Sequence, residues 1–302
     1  MTTVYQVDPA TFPEARVLFE EAGVTFDRPL WEAPFDGLMP ARLYLDHPTA
    51  PTSALLARSY DFFLTGQASP AIVAFLQDAP AESGVYEWFY GFVPLTAAWR
   101  EALPVALPDL YREERRAFRL GESGFRQARD WDARISPGVR VVPLDVALAK
   151  QADDEVPEVI RIIWADYDIY ARHGWGYAAL DEDDRVLSCA YATGLTAREV
   201  NLGVGTAAHA QRRGLGRLVC QACIAHAEQA GLAVTWDCDL VNQASGRLAE
   251  SLGFIEEDPF VEFGFPDPEQ GMPNRVTPAP SGVPWERDAL PGGVIAWSRD
   301  SR

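Results

Sequence analysis

Residues 204–216 read Val204-Gly205-Thr206-Ala207-Ala208-His209-Ala210-Gln211-Arg212-Arg213-Gly214-Leu215-Gly216. Before them, Val200 to Val204 form an apolar run that reads as a buried strand. After them, Leu215, Leu218, Val219, Ala222 and Cys223 recur at helical spacing. A strand, a glycine-bearing turn and a helix in that order build an anion site out of main chain. The first turn of a helix leaves its N–H groups unpaired, and the helix dipole places its positive end there. Gly214 and Gly216 lack Cβ atoms, so a phosphate can approach the chain closely. Arg212, Arg213 and Arg217 add positive charge at the same point. The stretch reads as a pyrophosphate cradle.

Two familiar phosphate loops are excluded. No Gly-Lys-Ser/Thr follows the turn, and the three glycines of G-x-G-x-x-G are not present. Gln211-Arg212-Arg213-Gly214-Leu215-Gly216 instead resembles the Q/R-x-x-G-x-G/A signature of the GNAT superfamily of acyl-CoA-dependent N-acyltransferases.

Composition sets the frame around this turn. The 302 residues suffice for one large or two ordinary domains. Hydrophobic residues make up 48%, with nine Trp, ten Tyr and fifteen Phe, which marks a folded globular chain. No apolar run approaches the roughly 20 residues that span a bilayer, and the start, Met1-Thr2-Thr3-Val4-Tyr5, lacks the basic and apolar regions of a signal peptide. A cytoplasmic protein without a membrane partner is expected. The net charge of −18 argues against a nucleic-acid partner, whose phosphates call for basic patches. An acidic exterior favours the approach of an amine, although solubility alone also accounts for it.

Four cysteines are no disulfide framework in a chain of this size. Cys220, Cys223 and His226 resemble a metal set, but they fall on the predicted helix. A rise of about 1.5 Å per residue separates Cys220 from His226 by about 9 Å, too far for one zinc ion with ligands at roughly 2.0–2.3 Å. Core packing is expected, and no metal.

Residues 1–135 carry no catalytic signature. Pro13 to Ala22 reads as a helix closed by Gly23. Ala54 to Leu64 reads as a strand running into a turn at Thr65-Gly66, and Ala71 to Leu76 and Val85 to Val93 as further strands. Asp109 to Leu120, with its Arg-Glu-Glu-Arg-Arg centre, reads as a helix with a solvated face. This half is expected to be an α/β or α+β domain of its own.

Ser136-Pro137-Gly138 punctuates the chain and is the expected boundary. Beyond it the patterns predict a strand at Val139–Pro143, two short helices at Ala147–Gln151 and Pro157–Ala165, and strands at Gly176–Leu180, Val186–Thr193 and Glu199–Thr206. A long helix at Gly214–Gln229, a strand at Ala233–Cys238, a helix at Asn242–Leu252 and a strand at Phe260–Phe265 follow. From Pro266 onward prolines dominate and a loop-rich tail is expected, with Gly293–Trp297 returning as an edge strand.

That order, β-α-α-β-β-β-α-β-α-β from Val139 to Phe265, is the order of the GNAT fold, with the cradle turn in its proper place. The expected architecture is therefore α/β: residues 136–266 as a GNAT domain with a mixed, mostly antiparallel central sheet flanked by helices, residues 1–135 as an additional domain, and residues 267–302 as the tail. Gly174-Trp175-Gly176-Tyr177, Trp236-Asp237 and the run from Asn242 through Leu248-Ala249-Glu250-Ser251-Leu252-Gly253 look like a bacterial subfamily that carries an extra N-terminal domain.

The resemblance implies acetyl-CoA as acyl donor and an amine as acceptor. It implies the CoA pyrophosphate on the turn from Gln211 through Arg212, Arg213, Gly214 and Leu215 to Gly216, and the pantetheine arm pairing like an extra strand along Val204, Gly205 and Thr206. Gly203 and Gly205 mark either a bulge that admits the ligand or a tight packing contact. Asn242 matches an asparagine that contacts pantetheine in many members, and it also suits a helix N-cap. Ser245, one turn on, faces the same side. For the base, Glu199 on the strand before the cradle is the first candidate, and it shares a face with Asn201. Asp237 and Asp239 come second. His209 lies in the turn itself. Many members carry a tyrosine acid in the last helix, and the matching position here is Ala249. Two further readings stay open: a catalytically inactive CoA-binding regulatory or interaction protein on the same fold, and a ligand-binding module centred on the aromatic N-terminal half. Oligomeric state is not legible.

Overall fold

The structure is a computed structural model and describes residues 1–58, 61–83, 91–156, 160–264 and 284–300. In chain order it contains β1 (Thr2–Val7), α1 (Arg16–Glu21), α2 (Arg28–Glu32), β2 (Arg42–Leu45), β3 (Ser53–Arg58), β4 (Asp61–Gly66), α3 (Pro70–Asp78), β5 (Gly91–Pro94), α4 (Ala97–Ala106) and β6 (Tyr111–Leu120). Then come α5 (Glu122–Ala128), β7 (Arg140–Pro143), α6 (Val146–Glu155), α7 (Ile160–Ile163), α8 (Tyr167–His173), β8 (Gly176–Leu180), β9 (Val186–Leu195) and β10 (Glu199–Thr206). The rest is α9 (Leu215–Ala230), β11 (Ala233–Asp239), α10 (Gln243–Leu252), β12 (Phe254–Glu256), β13 (Phe260–Gly264), β14 (Glu286–Ala289) and β15 (Ile295–Arg299).

These elements form two compact units. The first comprises Met1–Thr25, Pro34–Glu114 and Val261–Arg302, the second Phe26–Ala33 and Arg115–Phe260. In the first, the strands lie side by side as β14-β15-β1-β2-β3-β4-β5, with β13 next to β5. Their neighbours are antiparallel except for the parallel pair β4 and β5. Large apolar side chains close its core, among them Phe62, Phe75, Phe92, Trp99 and Trp297.

In the second unit the order is β7-β8-β9-β10-β11-β6, and only β10 and β11 run parallel. A parallel pair needs a crossover, which α9 supplies. The helix forms because apolar residues line nearly its whole circumference: Leu215, Leu218, Val219, Cys220, Cys223 and Ile224 are all buried. It stops at Gly231, whose φ of 71° lets its N–H reach the carbonyls of Ala227 and Glu228. The early helix α2 also belongs here, since a Cβ added to Gly194 on β9 would stand 2.5 Å from Leu30 Cδ2.

The structure corrects several expectations. Asp109–Leu120 is no helix: Tyr111–Leu120 is strand β6, because its residues pair with β11 and β12 and its arginines meet carboxylates there. For the same reason the compact units divide between Glu114 and Arg115 and not at Ser136–Gly138. Ala71–Leu76 lies in helix α3, not a strand, with Ser69 capping it and Pro70 at its first position. Ala54–Leu64 is two antiparallel strands, β3 and β4, and not one, with residues 59–60 outside the described residues. In the tail, Ile295–Arg299 is a strand between β1 and β14 and not at an edge. Helix α8 and strand β12 were not foreseen. The expected strand over 85–90, the start of the helix at 157–159 and the prolines at 266–280 lie outside the described residues.

Candidate active site

The site begins where two parallel strands part. β10 and β11 pair only at Glu199↔Ala233, Val200↔Val234 and Asn201↔Thr235. Between Asn201 and Leu202 the register of β10 against β9 slips by one: Asn201 faces Gly194 and Leu202 faces Ala192, so Thr193 of β9 is the extra, bulged residue. A bulge bends the strand that carries the extra residue, here β9, and sharpens the local twist beside the point where β10 and β11 part. From Leu202 to Thr206, β10 stays on β9, while β11 continues to Asp239 against β6. The two strands therefore fork at Asn201, and the side of β10 that faced β11 loses its ladder. Such a free edge accepts an extended ligand as an added strand.

The bulged residue is Thr193 on β9, opposite the Asn201–Leu202 step, and not Gly203 or Gly205 on β10. Gly203 serves packing instead, since a Cβ there would meet Thr193 Cγ2 at 2.7 Å. Gly205 keeps its place in the ladder opposite Cys189, and its carbonyl accepts the Ser188 hydroxyl at 2.7 Å.

At the open end of the fork the chain turns into α9. The Gln211 side-chain Nε2 donates to the Thr206 carbonyl at 3.4 Å and ties the turn back to the strand. Arg212 and Gly214 take left-handed conformations, with φ of 59° and 78°. Gly214 is the N-cap and no side chain caps the helix. The first bond back into the helix is from Leu218 N–H to Gly214 O, so the amides of Leu215, Gly216 and Arg217 find no acceptor among the described residues. Gly216 sits close against the strand, where its missing Cβ would be 3.2 Å from Thr206 Oγ1. Gly214 by contrast has open space, so its conformation, not crowding, requires glycine there.

Charge at this turn is uncompensated. Arg212, Arg213 and Arg217 are exposed, and none meets a carboxylate among the described residues. Arg217 donates to the Gln127 side-chain oxygen at 3.3 Å, its one hydrogen bond among the described residues. In a chain of net charge −18, three unpaired cations beside an uncapped helix start form a local anion trap.

Across the fork, α10 starts at Asn242, whose Oδ1 accepts the Ser245 N–H at 3.1 Å. The capping reading of Asn242 is therefore present in the structure. Ser245 Oγ accepts the Trp236 indole N–H at 3.0 Å. Between β11 and this helix, Leu240 and Val241 are left 45% and 79% exposed, a solvent-facing apolar lip. Ala249 is buried in α10 and brings no acid.

The candidate carboxylates occupy one polar face of the sheet. Asp237 lies two residues past the last β10–β11 pair, inside the fork. It accepts Asn201 Nδ2 at 3.2 Å and is ion-paired with Arg115. Asn201 is buried and is itself held by the Thr193 hydroxyl, 2.6 Å from its Oδ1. Arg115 also holds Asp239, at 2.5 Å. Glu199 instead lies on the closed side of the fork. Arg119 reaches its Oε1 at 3.1 Å and Glu257 at the same distance, while Glu199 Oε2 is buried and finds no partner among the described residues. Sequence reasoning missed Arg115 and Arg119 because it read their strand as a helix.

The remaining candidates fall elsewhere. His209 is exposed in a single turn of 3-10 helix at Ala208–Ala210. Cys220 and Cys223 are in the core, where burial pushes the Cys223 thiol far up. His226 stacks on Trp175 with ring centres 4.5 Å apart and faces the Tyr177 hydroxyl at 3.3 Å, and burial lowers its pKa. Among the described residues no group of three or more His, Cys, Asp or Glu is arranged to hold a metal ion.

Residues 23–263 match the family model described as GNAT acetyltransferase. A curated relative from Bacillus subtilis (strain 168), the uncharacterized N-acetyltransferase YdfB, is 23% identical over 226 residues, 72% of this chain and 83% of that protein. Among solved structures, the GCN5-related N-acetyltransferase-like protein from Streptococcus suis 89/1591 aligns at a TM-score of 0.64 with 19% identity, covering 86% of this chain and 100% of that one. The GCN5-related N-acetyltransferase from Sphaerobacter thermophilus gives 0.53 with 14% identity, over 87% and 95% of the two chains. At these identities the structures speak to fold alone.

Proposed function

The chain belongs to the GNAT acetyltransferase family, and from that premise we propose that it transfers an acetyl group from acetyl-CoA to an amine bound at the β10–β11 fork. One observation carries this reading: the fork opens directly onto a helix start that is uncapped and flanked by Arg212, Arg213 and Arg217. The pyrophosphate sits on the main-chain N–H groups from Arg212 to Gly216. The pantetheine arm then runs along the free edge of β10 past Thr206, Gly205 and Val204, which brings the thioester to Asn201 and Asp237. Asn242 and Ser245 border the arm from the α10 side, and Leu240 and Val241 offer it apolar cover.

The amine nitrogen attacks the thioester carbonyl, a tetrahedral oxyanion forms, and the carbon–sulfur bond breaks. Of the two candidate carboxylates, Asp237 is the one inside the fork, and it receives the amine proton directly or through water. Asn201 and Arg115 hold it in place. Glu199, on the closed side, positions Arg119. With Ala249 in place of an acidic side chain, the departing thiolate takes its proton from water, a tolerable route for a group whose pKa is about 8.5. All four cysteines are buried and form no disulfide among the described residues, which fits a reducing compartment such as the cytoplasm. Among the described residues no helix is long and apolar enough to cross a membrane.

Ala249 also favours a second reading, a protein that binds CoA but no longer catalyses. Release of free CoA thiol from acetyl-CoA, measured over a panel from small cationic amines to lysine peptides, separates the two. Amine-dependent release that Asp237→Asn abolishes supports the enzyme. Binding without release from any amine supports the regulator.

A further inference from the structure

We infer that the first unit is a second copy of the same fold whose acyl-CoA slot is closed, so that the chain holds one acyl-CoA and not two. The ligand's identity rests on the function proposed above, whereas the duplication and the closure stand on the fold alone.

The duplication shows in the order and direction of the strands. In the second unit β7, β8, β9 and β10 are successive antiparallel neighbours. A helix, α9, then crosses to β11 parallel to β10, and α10 follows. In the first unit β1, β2, β3 and β4 are successive antiparallel neighbours. There α3 crosses to β5 parallel to β4, and α4 follows. Helices separate the first two strands in both runs. Each parallel strand has an antiparallel neighbour on its far side, β6 beside β11 and β13 beside β5. Those two are crossed over in sequence: β6 follows α4 of the first run, and β13 follows α10 of the second.

Against this shared frame, the features that make a ligand slot at β10 are missing at β4. The pair β4–β5 does not fork. It runs from Asp61↔Gly91 to Leu64↔Pro94, and the Leu95 N–H extends it to Leu64 O at 2.8 Å. Past that point Trp99, fully buried, donates its indole N–H to Thr65 O at 3.0 Å, and Thr96 Oγ1 donates to Gly66 O at 2.8 Å. The carbonyls that end β4 are thus occupied by the chain itself. The helix start is closed as well. Ser69 Oγ accepts the Ala71 N–H at 3.3 Å, and Pro70 has no N–H to offer. No Lys or Arg occurs from Asp61 through Ala81, where the second copy has three arginines at its turn. Strand edge, helix cap and charge have all gone the same way, and each alone would hinder a pyrophosphate-bearing ligand.

Isothermal titration of the full-length protein with acetyl-CoA, paired with amide hydrogen exchange, tests this. One molecule bound per chain is expected, with at least a tenfold loss of affinity in Arg212→Glu/Arg213→Glu. The Leu95 amide is expected to exchange slowly in the free protein and to be unchanged by ligand, while the stretch from Leu202 to Thr206 gains protection. Two molecules per chain, one molecule whose affinity survives the double substitution, or rapid exchange at Leu95 would overturn the inference. If acetyl-CoA does not bind at all, the proposed function fails. Exchange in the free protein then decides the closure alone: a slow Leu95 amide upholds it and a fast one refutes it.

Discussion

Asp237 and Glu199 separate at the level of single side chains. Both are carboxylates next to arginine, but the β10–β11 ladder ends at Asn201↔Thr235, which leaves one inside the fork and the other behind it. Asp237→Asn is expected to lower kcat by about 10²–10⁴-fold, the usual worth of a positioned proton acceptor, with acetyl-CoA affinity nearly unchanged. Glu199→Gln is expected to leave kcat within a few-fold. Steady-state kinetics on the two variants would refute the assignment if the larger loss fell on Glu199. His226 carries a separate expectation about pH. Burial against Trp175 lowers its pKa below the ordinary 6.5, so the unfolded chain takes up that proton first on acidification. Its contribution to stability is full above about pH 6.5 and is lost as pH falls through the native value. Urea midpoints at pH 7.5 and 5.5 should therefore fall further in the native protein than in His226→Phe. Equal falls would mean that His226 is not desolvated as described.

At the scale of elements, the reading of the second unit succeeded where local chemistry and tertiary packing agree. α9 and α10 were legible because apolar spacing, Gly231 and Gly253 at their ends and Asn242 at a start all point one way. Two misreadings have the same cause with opposite sign. Ala71–Leu76 looks like a strand through Ile72 and Val73, yet Ser69-Pro70 is a helix start, and capping outweighed β-branching. Arg112–Arg116 looks like a solvated helix, yet Arg115 and Arg116 find partners across strands, Asp237 and Asp239 on β11 and Glu256 on β12. Partners so distant in sequence leave no local trace. The alternation of Phe118 and Leu120 was the available signal. The bulge was equally hidden, because its extra residue, Thr193, lies on β9 and not at the glycines of β10. Asn242 illustrates a role that was legible, and Asn242→Ala should cost about 1 kcal/mol of stability by loss of the cap. A chemical-denaturation midpoint reads this out, and an unchanged midpoint would mean the cap is not formed in solution.

For the whole molecule, the crossing of β6 and β13 has consequences for how the chain can be divided. A cut at residue 135 puts β13 and β15 on the other piece from β5 and β1, their ladder partners, and β6 on the other piece from β11. Fragments 1–135 and 136–302 are each expected to lack a cooperative melt alone and to regain one on co-expression. A cooperative melt of either fragment by itself would contradict the strand assignment. The boundary suggested by Ser136-Pro137-Gly138 is thus a loop within the second unit, and its composition could not reveal which strands it separates. The internal duplication was illegible for a related reason, since the two copies share strand directions and not motifs.

The central claim is that the turn from Gln211 to Gly216 holds acetyl-CoA at an open strand edge. A thermal melt with and without acetyl-CoA, run on the native chain and on Arg212→Glu/Arg213→Glu, tests it most directly. Ligand at about 100 times its dissociation constant adds about 2.7 kcal/mol to a folded state that binds it. A clear upward shift for the native chain, lost in a variant whose ligand-free melt is unchanged, is the predicted result. No shift in the well-folded native chain, or the same shift in both proteins, would contradict it.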